Sequence, residues 1–214
     1  MRFKILIIML AVLLTGCNKM IDEGGTNSQY QHDMDILRMQ DIKTIGGYIE
    51  DYKAKTGHYP LVRSDEIEQY VHIATDGQKK YIQGAPPEKH VVTDCAELDQ
   101  ELKRVLGKDI VIPKDPQKVP MNKPNFYIYM TRGKDYWLAV HLHSACSLSK
   151  QVAKYYHKLE ISSNPYPPAM VWSYETLSEN KEFVKEASRP FYKPEYIDYL
   201  RKGELPTAPS TTTE

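Results

Sequence analysis

One amphipathic stripe constrains this chain more than any other feature. Across residues 31–56, apolar side chains recur at steps of three and four, which places them on one face of a helix of about seven turns. The stripe residues are Ile36, Met39, Ile42, Ile45, Ile49 and Tyr52. A one-sided helix of this length must bury its apolar face against another layer. We therefore expect residues 31–56 to form a long helix packed on a sheet.

Two adjacent glycines, Gly46 and Gly47, interrupt this stripe. Glycine inside a helix costs about 1 kcal/mol relative to alanine, so the helix either bends here or lets another element pack closely on its backbone. The helix is predicted to end after Thr56, because Gly57 can adopt the C′ conformation and Pro60 follows shortly after.

A second pattern predicts a β-hairpin. Residues 125–131 and 135–143 both alternate with period two, on either side of a turn that contains Gly133. A long one-sided helix followed by a hairpin indicates an α+β arrangement of layers.

Two stretches of this pattern carry a resemblance to a known family. The matching positions are Asp41, Tyr52, Thr56, Gly57, Tyr59, Pro60, Lys114, Asp115, Pro116, Tyr127, Ile128, Tyr129, Tyr136, Trp137 and Leu138. In this order they resemble the globular domain of type II secretion pseudopilins and related type IV pilin-like proteins, over residues 33–62 and 110–143. The resemblance implies a pilin-like α+β domain at residues 32–143, with the long helix packed on a small antiparallel sheet.

The N-terminus has the parts of a secretory signal. Basic residues precede an apolar run at residues 5–14, which is about half the length needed to span a membrane. The following Leu-Thr-Gly-Cys, ending at Cys17, resembles the bacterial lipobox, which implies a signal peptide at residues 1–17 and diacylglycerol on Cys17. Asn18 favours the outer membrane over retention in the inner one. Residues 18–31 are polar and lack apolar period, so we expect a flexible spacer.

The chain also departs from the pilin-like family. Pilins and pseudopilins begin with a continuous hydrophobic helix that anchors and polymerises, whereas this chain has a lipobox and a polar spacer. The acidic calcium-binding loop of the major pseudopilin has no counterpart here, so the resemblance implies no metal or other cofactor.

An added region, residues 144–205, is predicted to consist of helices and loops of the same domain. Near-helical apolar steps predict a helix over residues 147–160, and two further short helices are expected at 178–188 and 193–203. Between them lies a proline-rich loop whose Tyr166 and Trp172 are either recognition groups or a lid on the core. Residues 206–214 are polar and are expected to form a disordered tail.

Once Cys17 is lipidated, Cys95 and Cys146 remain as a pair. In an oxidising compartment such a pair predicts a disulfide. Two alternatives stay open: free thiols, or a metal site that combines Cys146 with His141 and His143, which would project from one face of a strand.

The composition argues against several functions. Without residues 1–17 the chain has 26 basic and 28 acidic residues, and this slightly acidic balance gives no reason to expect nucleic acid as a partner. The chain has no phosphate-binding glycine loop, no nucleophile elbow and no zinc-protease motif. We expect a non-enzymatic interaction or structural protein, held at the membrane by lipid and contacting another envelope protein. The alternative is an envelope hydrolase or metal-dependent enzyme that uses the His141/His143 region.

Overall fold

A computed structural model of the protein describes residues 28–74, 89–115, 126–153, 156–166 and 169–189. In chain order the helices are α1 (Ser28–Thr56), α2 (Cys95–Leu106), α3 (Tyr174–Glu179) and α4 (Lys181–Ala187). The strands are β1 (Glu68–Ile73), β2 (His90–Thr93), β3 (Tyr127–Arg132), β4 (Asp135–Leu142), β5 (Lys150–Ala153), β6 (Tyr156–Ser162) and β7 (Val171–Trp172). The α+β class and the long first helix are confirmed.

The seven strands in the described residues form one mixed sheet in the order β2-β1-β3-β4-β6-β5, with β7 also paired to β6. The β1/β2 and β6/β7 pairs are parallel and the other pairs are antiparallel. The predicted hairpin is confirmed as β3 and β4, with Tyr129 opposite Leu138. The sheet is larger than the small antiparallel sheet expected, because strands before and after the hairpin extend it on both sides.

The helices pack on one face of the sheet, which we call the inner face. One row of this face runs across four strands and consists of Val71, Tyr129, Leu138 and Ile161. The α1 stripe packs here, with Ile42, Ile45 and Ile49 fully buried. The other helices contribute Leu98, Leu102, Leu177 and Phe183 to the same core. The opposite face of the sheet, the outer face, carries the alternate residues of each strand.

α1 continues through the glycine pair to Thr56, so the pair does not end the helix. It allows other side chains to pack closely on the helix backbone. A Cβ atom on Gly46 would lie 2.7 Å from the Tyr174 ring and 2.8 Å from the Ile161 side chain. The helix ends as predicted: Gly57 has φ +82°, and its N–H donates to the Lys53 carbonyl at 2.8 Å.

The helix predicted over residues 147–160 is wrong, because this segment forms β5 and most of β6. Over so short a segment the apolar residues fit both the helical period of 3.6 and the strand period of two. Pairing with β4 stabilises the strand, and Leu159 lies opposite Val140 on the inner face. The strands of the added region therefore belong to the same sheet as the hairpin.

Two further boundaries differ from expectation. The polar spacer predicted for residues 18–31 is wrong from Ser28 onward, since α1 already begins there. The helix predicted at 178–188 is two short helices that meet at Asn180, whose side-chain oxygen accepts from the N–H groups of Glu182 and Phe183. The predicted signal peptide, the rest of the spacer, the helix at 193–203 and the tail at 206–214 lie outside the described residues.

Within the residues described, no helix has both the length and the apolar composition that spanning a membrane requires.

Candidate functional site

The structure separates the two cysteines of the predicted disulfide. Cys95 follows β2 at one edge of the sheet, whereas Cys146 lies in the segment that leads to β5 at the opposite edge. Both thiols are free, Cys95 buried and Cys146 half-buried. The disulfide is therefore not formed in this structure. Cys17, the predicted lipidation site, lies outside the described residues.

The metal alternative is not assembled either. His141 belongs to β4, but His143 lies beyond the end of the strand, where its backbone N–H donates to Asp35 at 2.8 Å. In the part of the chain that the structure describes, no three His, Cys, Asp or Glu side chains are grouped so that they could hold a metal ion.

A buried ionic network, which the sequence reasoning missed, ties α1 to the rest of the domain. Arg38 is fully buried and donates to both oxygens of Asp115, at 3.0 and 3.1 Å. It also contacts Asp35 at 3.3 Å. The Asp35 carboxylate accepts two backbone N–H groups at 2.8 Å each, from His143 and Ser144. Three distant parts of the chain therefore meet in this network: α1, Asp115 and the segment that follows β4.

The charges of this network are buried and paired with one another, as in a structural ion pair. Burial would lower the pKa of Arg38, but the carboxylates of Asp115 and Asp35 outweigh it and raise this pKa. Burial also raises the pKa of Asp35, against the opposing effect of Arg38 and the two backbone donors. One turn further along α1, the Tyr127 hydroxyl donates to Asp41 at 2.6 Å, and burial raises the Tyr127 pKa well above its usual value.

The outer face of the sheet carries a different group of side chains. Tyr70, Met130 and Trp137 are register partners on β1, β3 and β4, and all three are half-buried. Val92 on β2 extends this row by one strand. The row is apolar or aromatic across four adjacent strands, which is about 14 Å at the usual strand spacing.

Charged residues lie beside this row on β5 and β6. Lys158 places its ammonium 4.8 Å from the centre of the Trp137 ring and 2.8 Å from Glu160. Lys150 also contacts Glu160, from the neighbouring strand β5. The sequence reasoning missed this group because it assigned these residues to a helix, on which Lys158 and Glu160 would point to opposite sides.

His141 adjoins this charged group without adding to its charge. Its ring stacks edge-to-face on Phe126 at 5.9 Å, and its register partner is Lys158. Burial lowers the pKa of His141 to about 4, and the positive charges of Lys158 and Arg38 add to the effect. The imidazole is therefore neutral at pH 7.

The structure also separates the two aromatic residues of the proline-rich loop. Trp172 packs against the core, and its indole N–H donates to the Leu148 carbonyl at 2.9 Å, so Trp172 serves as a lid. Tyr166 is 64% exposed and is held by backbone hydrogen bonds with Val171.

Comparison of this chain with protein-family models, with curated proteins and with solved structures finds no match.

Proposed function

We propose that this chain is a lipid-anchored protein of the bacterial cell envelope whose α+β domain is a non-enzymatic interaction module. In this proposal Cys17 carries the lipid, the domain faces the periplasm from the outer membrane, and its partner is another envelope protein. Two or three acyl chains hold a protein far more firmly than one, since each buried methylene contributes about 0.8 kcal/mol.

The observation that carries the interaction role is the outer face of the sheet. All four described helices contribute apolar residues to the core on the inner face. The outer face nevertheless presents Tyr70, Met130 and Trp137 in one row. Aromatic residues and methionine are enriched in protein interfaces, which supports a binding role for this row.

Contacts between the two resembling stretches support a pilin-like domain. Asp41 from the first stretch accepts from the Tyr127 hydroxyl of the second at 2.6 Å. The Tyr129 hydroxyl of the second donates to the Pro60 carbonyl of the first at 2.9 Å. Four residues that carry the resemblance thus join the first stretch to the hairpin, which favours a partner in a secretion or pilus-like machine.

The enzyme alternative has less support. His141 stacks on Phe126 and is kept neutral by burial, while the backbone of His143 is used to bind Asp35. Neither of these contacts places a base beside a nucleophile among the described residues.

Metabolic labelling with palmitate tests the anchor. The native chain is expected to incorporate label and to fractionate with membranes, whereas Cys17→Ser should do neither. Cys146→Ser is the matched control and should keep the label, because that cysteine lies in the folded domain. An unmodified Cys17 thiol in the mature protein would refute the lipid anchor.

A further inference from the structure

The outer face contains a preorganised cationic patch, which we define as Trp137, Lys150 and Lys158 together with Glu160 beneath them. These residues lie on the adjacent strands β4, β5 and β6. Lys158 is held from two sides, by the Trp137 ring at 4.8 Å and by Glu160 at 2.8 Å. Because its rotamer is already fixed, less side-chain entropy is lost when a ligand binds it.

The charges of this patch are unequally exposed. The Glu160 side chain is only 3% exposed, whereas those of Lys150 and Lys158 are 35% and 19% exposed. The Glu160 side chain is thus enclosed by the protein, while the lysine side chains are partly exposed. A partner at this patch meets two lysine side chains and one aromatic ring.

We propose that this patch binds an acidic, amphipathic segment of the partner protein. Its carboxylates pair with Lys150 and Lys158, and its apolar side chains lie on the row formed by Tyr70, Met130 and Trp137. The row crosses four strands, about 14 Å, which matches roughly ten residues of helix. This inference rests on the proposed interaction function and identifies the surface and the chemistry of the partner.

A protein segment fits the patch better than a membrane surface does. Electrostatic attachment to anionic lipid takes clusters of about four to eight basic residues, each contributing about 1 kcal/mol. The patch offers two lysines, and the row beside it is half-buried. Two charges beside an apolar row are characteristic of a protein interface with a charged rim.

The two tryptophans of the chain provide the test, since one lies in the patch and the other is a built-in reference. The full-length protein is labelled with fluorinated tryptophan, held in neutral detergent micelles and titrated with a short synthetic Leu/Glu amphipathic peptide. The fluorine resonance of Trp137 is expected to shift saturably, while that of Trp172, hydrogen-bonded to Leu148, stays in place. The same peptide with glutamine in place of glutamate should bind about tenfold more weakly, the loss expected from two exposed ion pairs.

A charge-swap variant, Lys150→Glu/Lys158→Glu/Glu160→Lys, reverses the surface charge and keeps a buried charge paired. It should lose binding of the Leu/Glu peptide and leave the Trp172 resonance unchanged, which reports an intact fold. If this variant does not fold, Lys150→Gln replaces it, because it leaves the Lys158–Glu160 pair in place. About two- to threefold weaker binding is then expected.

Three results would overturn the inference: no saturable shift of Trp137, equal binding of the two peptides, or a shift of Trp137 only with anionic lipid vesicles. An experiment in cells distinguishes a wrong binding surface from a wrong proposed function. If the native chain and the charge-swap variant bind the same envelope partner equally in cells, the interaction role stands and the patch is refuted.

Discussion

Replacing Arg38 by methionine should destabilise the domain more than almost any other single change. Arg38 and Asp115 are both fully buried, and Arg38 is hydrogen-bonded to both oxygens of that carboxylate. Methionine fills a similar volume but leaves the carboxylates of Asp115 and Asp35 without the guanidinium. Removing one partner of a buried pair costs about 3–5 kcal/mol.

This loss is large compared with the stability of a domain of this size. Single domains unfold with about 5–15 kcal/mol, and each kcal/mol corresponds to about 2–4 °C of melting temperature for 150–250 residues. We therefore expect Arg38→Met to lower the melting temperature by about 6–20 °C. Thermal unfolding in detergent micelles, followed by circular dichroism, measures the shift.

The double variant Arg38→Met/Asp115→Leu separates loss of a charge partner from loss of packing. The double variant also removes the buried Asp115 carboxylate that has lost the guanidinium, so it should be more stable than Arg38→Met alone. Lys103→Met is the matched control, because Lys103 makes a partly exposed ion pair with Asp99 and should cost no more than about 1 kcal/mol. If the double variant is as unstable as the sum of its single variants, the pairing argument is refuted.

The remaining predictions concern packing, pH and thiols. Gly46→Ala should be less stable than Gly47→Ala, because its Cβ would lie 2.7 Å from a packed tyrosine ring, and equal melting temperatures would contradict this close approach. Folding lowers the pKa of His141 from 6.5 to about 4, so the native state favours the neutral imidazole. The resulting contribution of His141 to the free energy of unfolding is therefore complete above pH 6.5. That contribution should decline by up to about 3 kcal/mol as the pH falls from 6.5 toward 4, whereas His141→Gln should show a flatter stability profile over this range. Cys95 and Cys146 should both react with an alkylating reagent in denatured, unreduced protein, and a mass-mapped peptide pair that joins them would show that the disulfide does form.

The long helix and the hairpin could be predicted because their signals are local. The α1 stripe, the C-terminal Gly57 and the turn at Gly133 each act within a few residues. The strands β5 and β6 could not be recognised in the same way, because their apolar spacing fits both periods and the deciding contact is with β4. A non-local partner overrides a short local pattern.

The buried charges of α1 did leave a signal in the sequence. The face that contains Ile49, Ile45 and Ile42 continues at helical spacing through Arg38 and Asp35, so these charges occupy positions that the stripe predicts as buried. A basic residue on the core face of a helix requires a buried acid, but Asp115 lies 77 residues away. Sequence spacing alone did not identify the partner.

Photo-crosslinking in intact cells tests the central claim most directly. A photoreactive residue is placed at Met130, on the outer face, and at Val111, a control position that is 71% exposed and lies outside the sheet. We expect a discrete adduct with an envelope protein from position 130, absent at 111 and lost when Cys17→Ser removes the anchor. Adducts of equal yield from both positions, or none from position 130 in a folded and lipidated chain, would contradict the central claim.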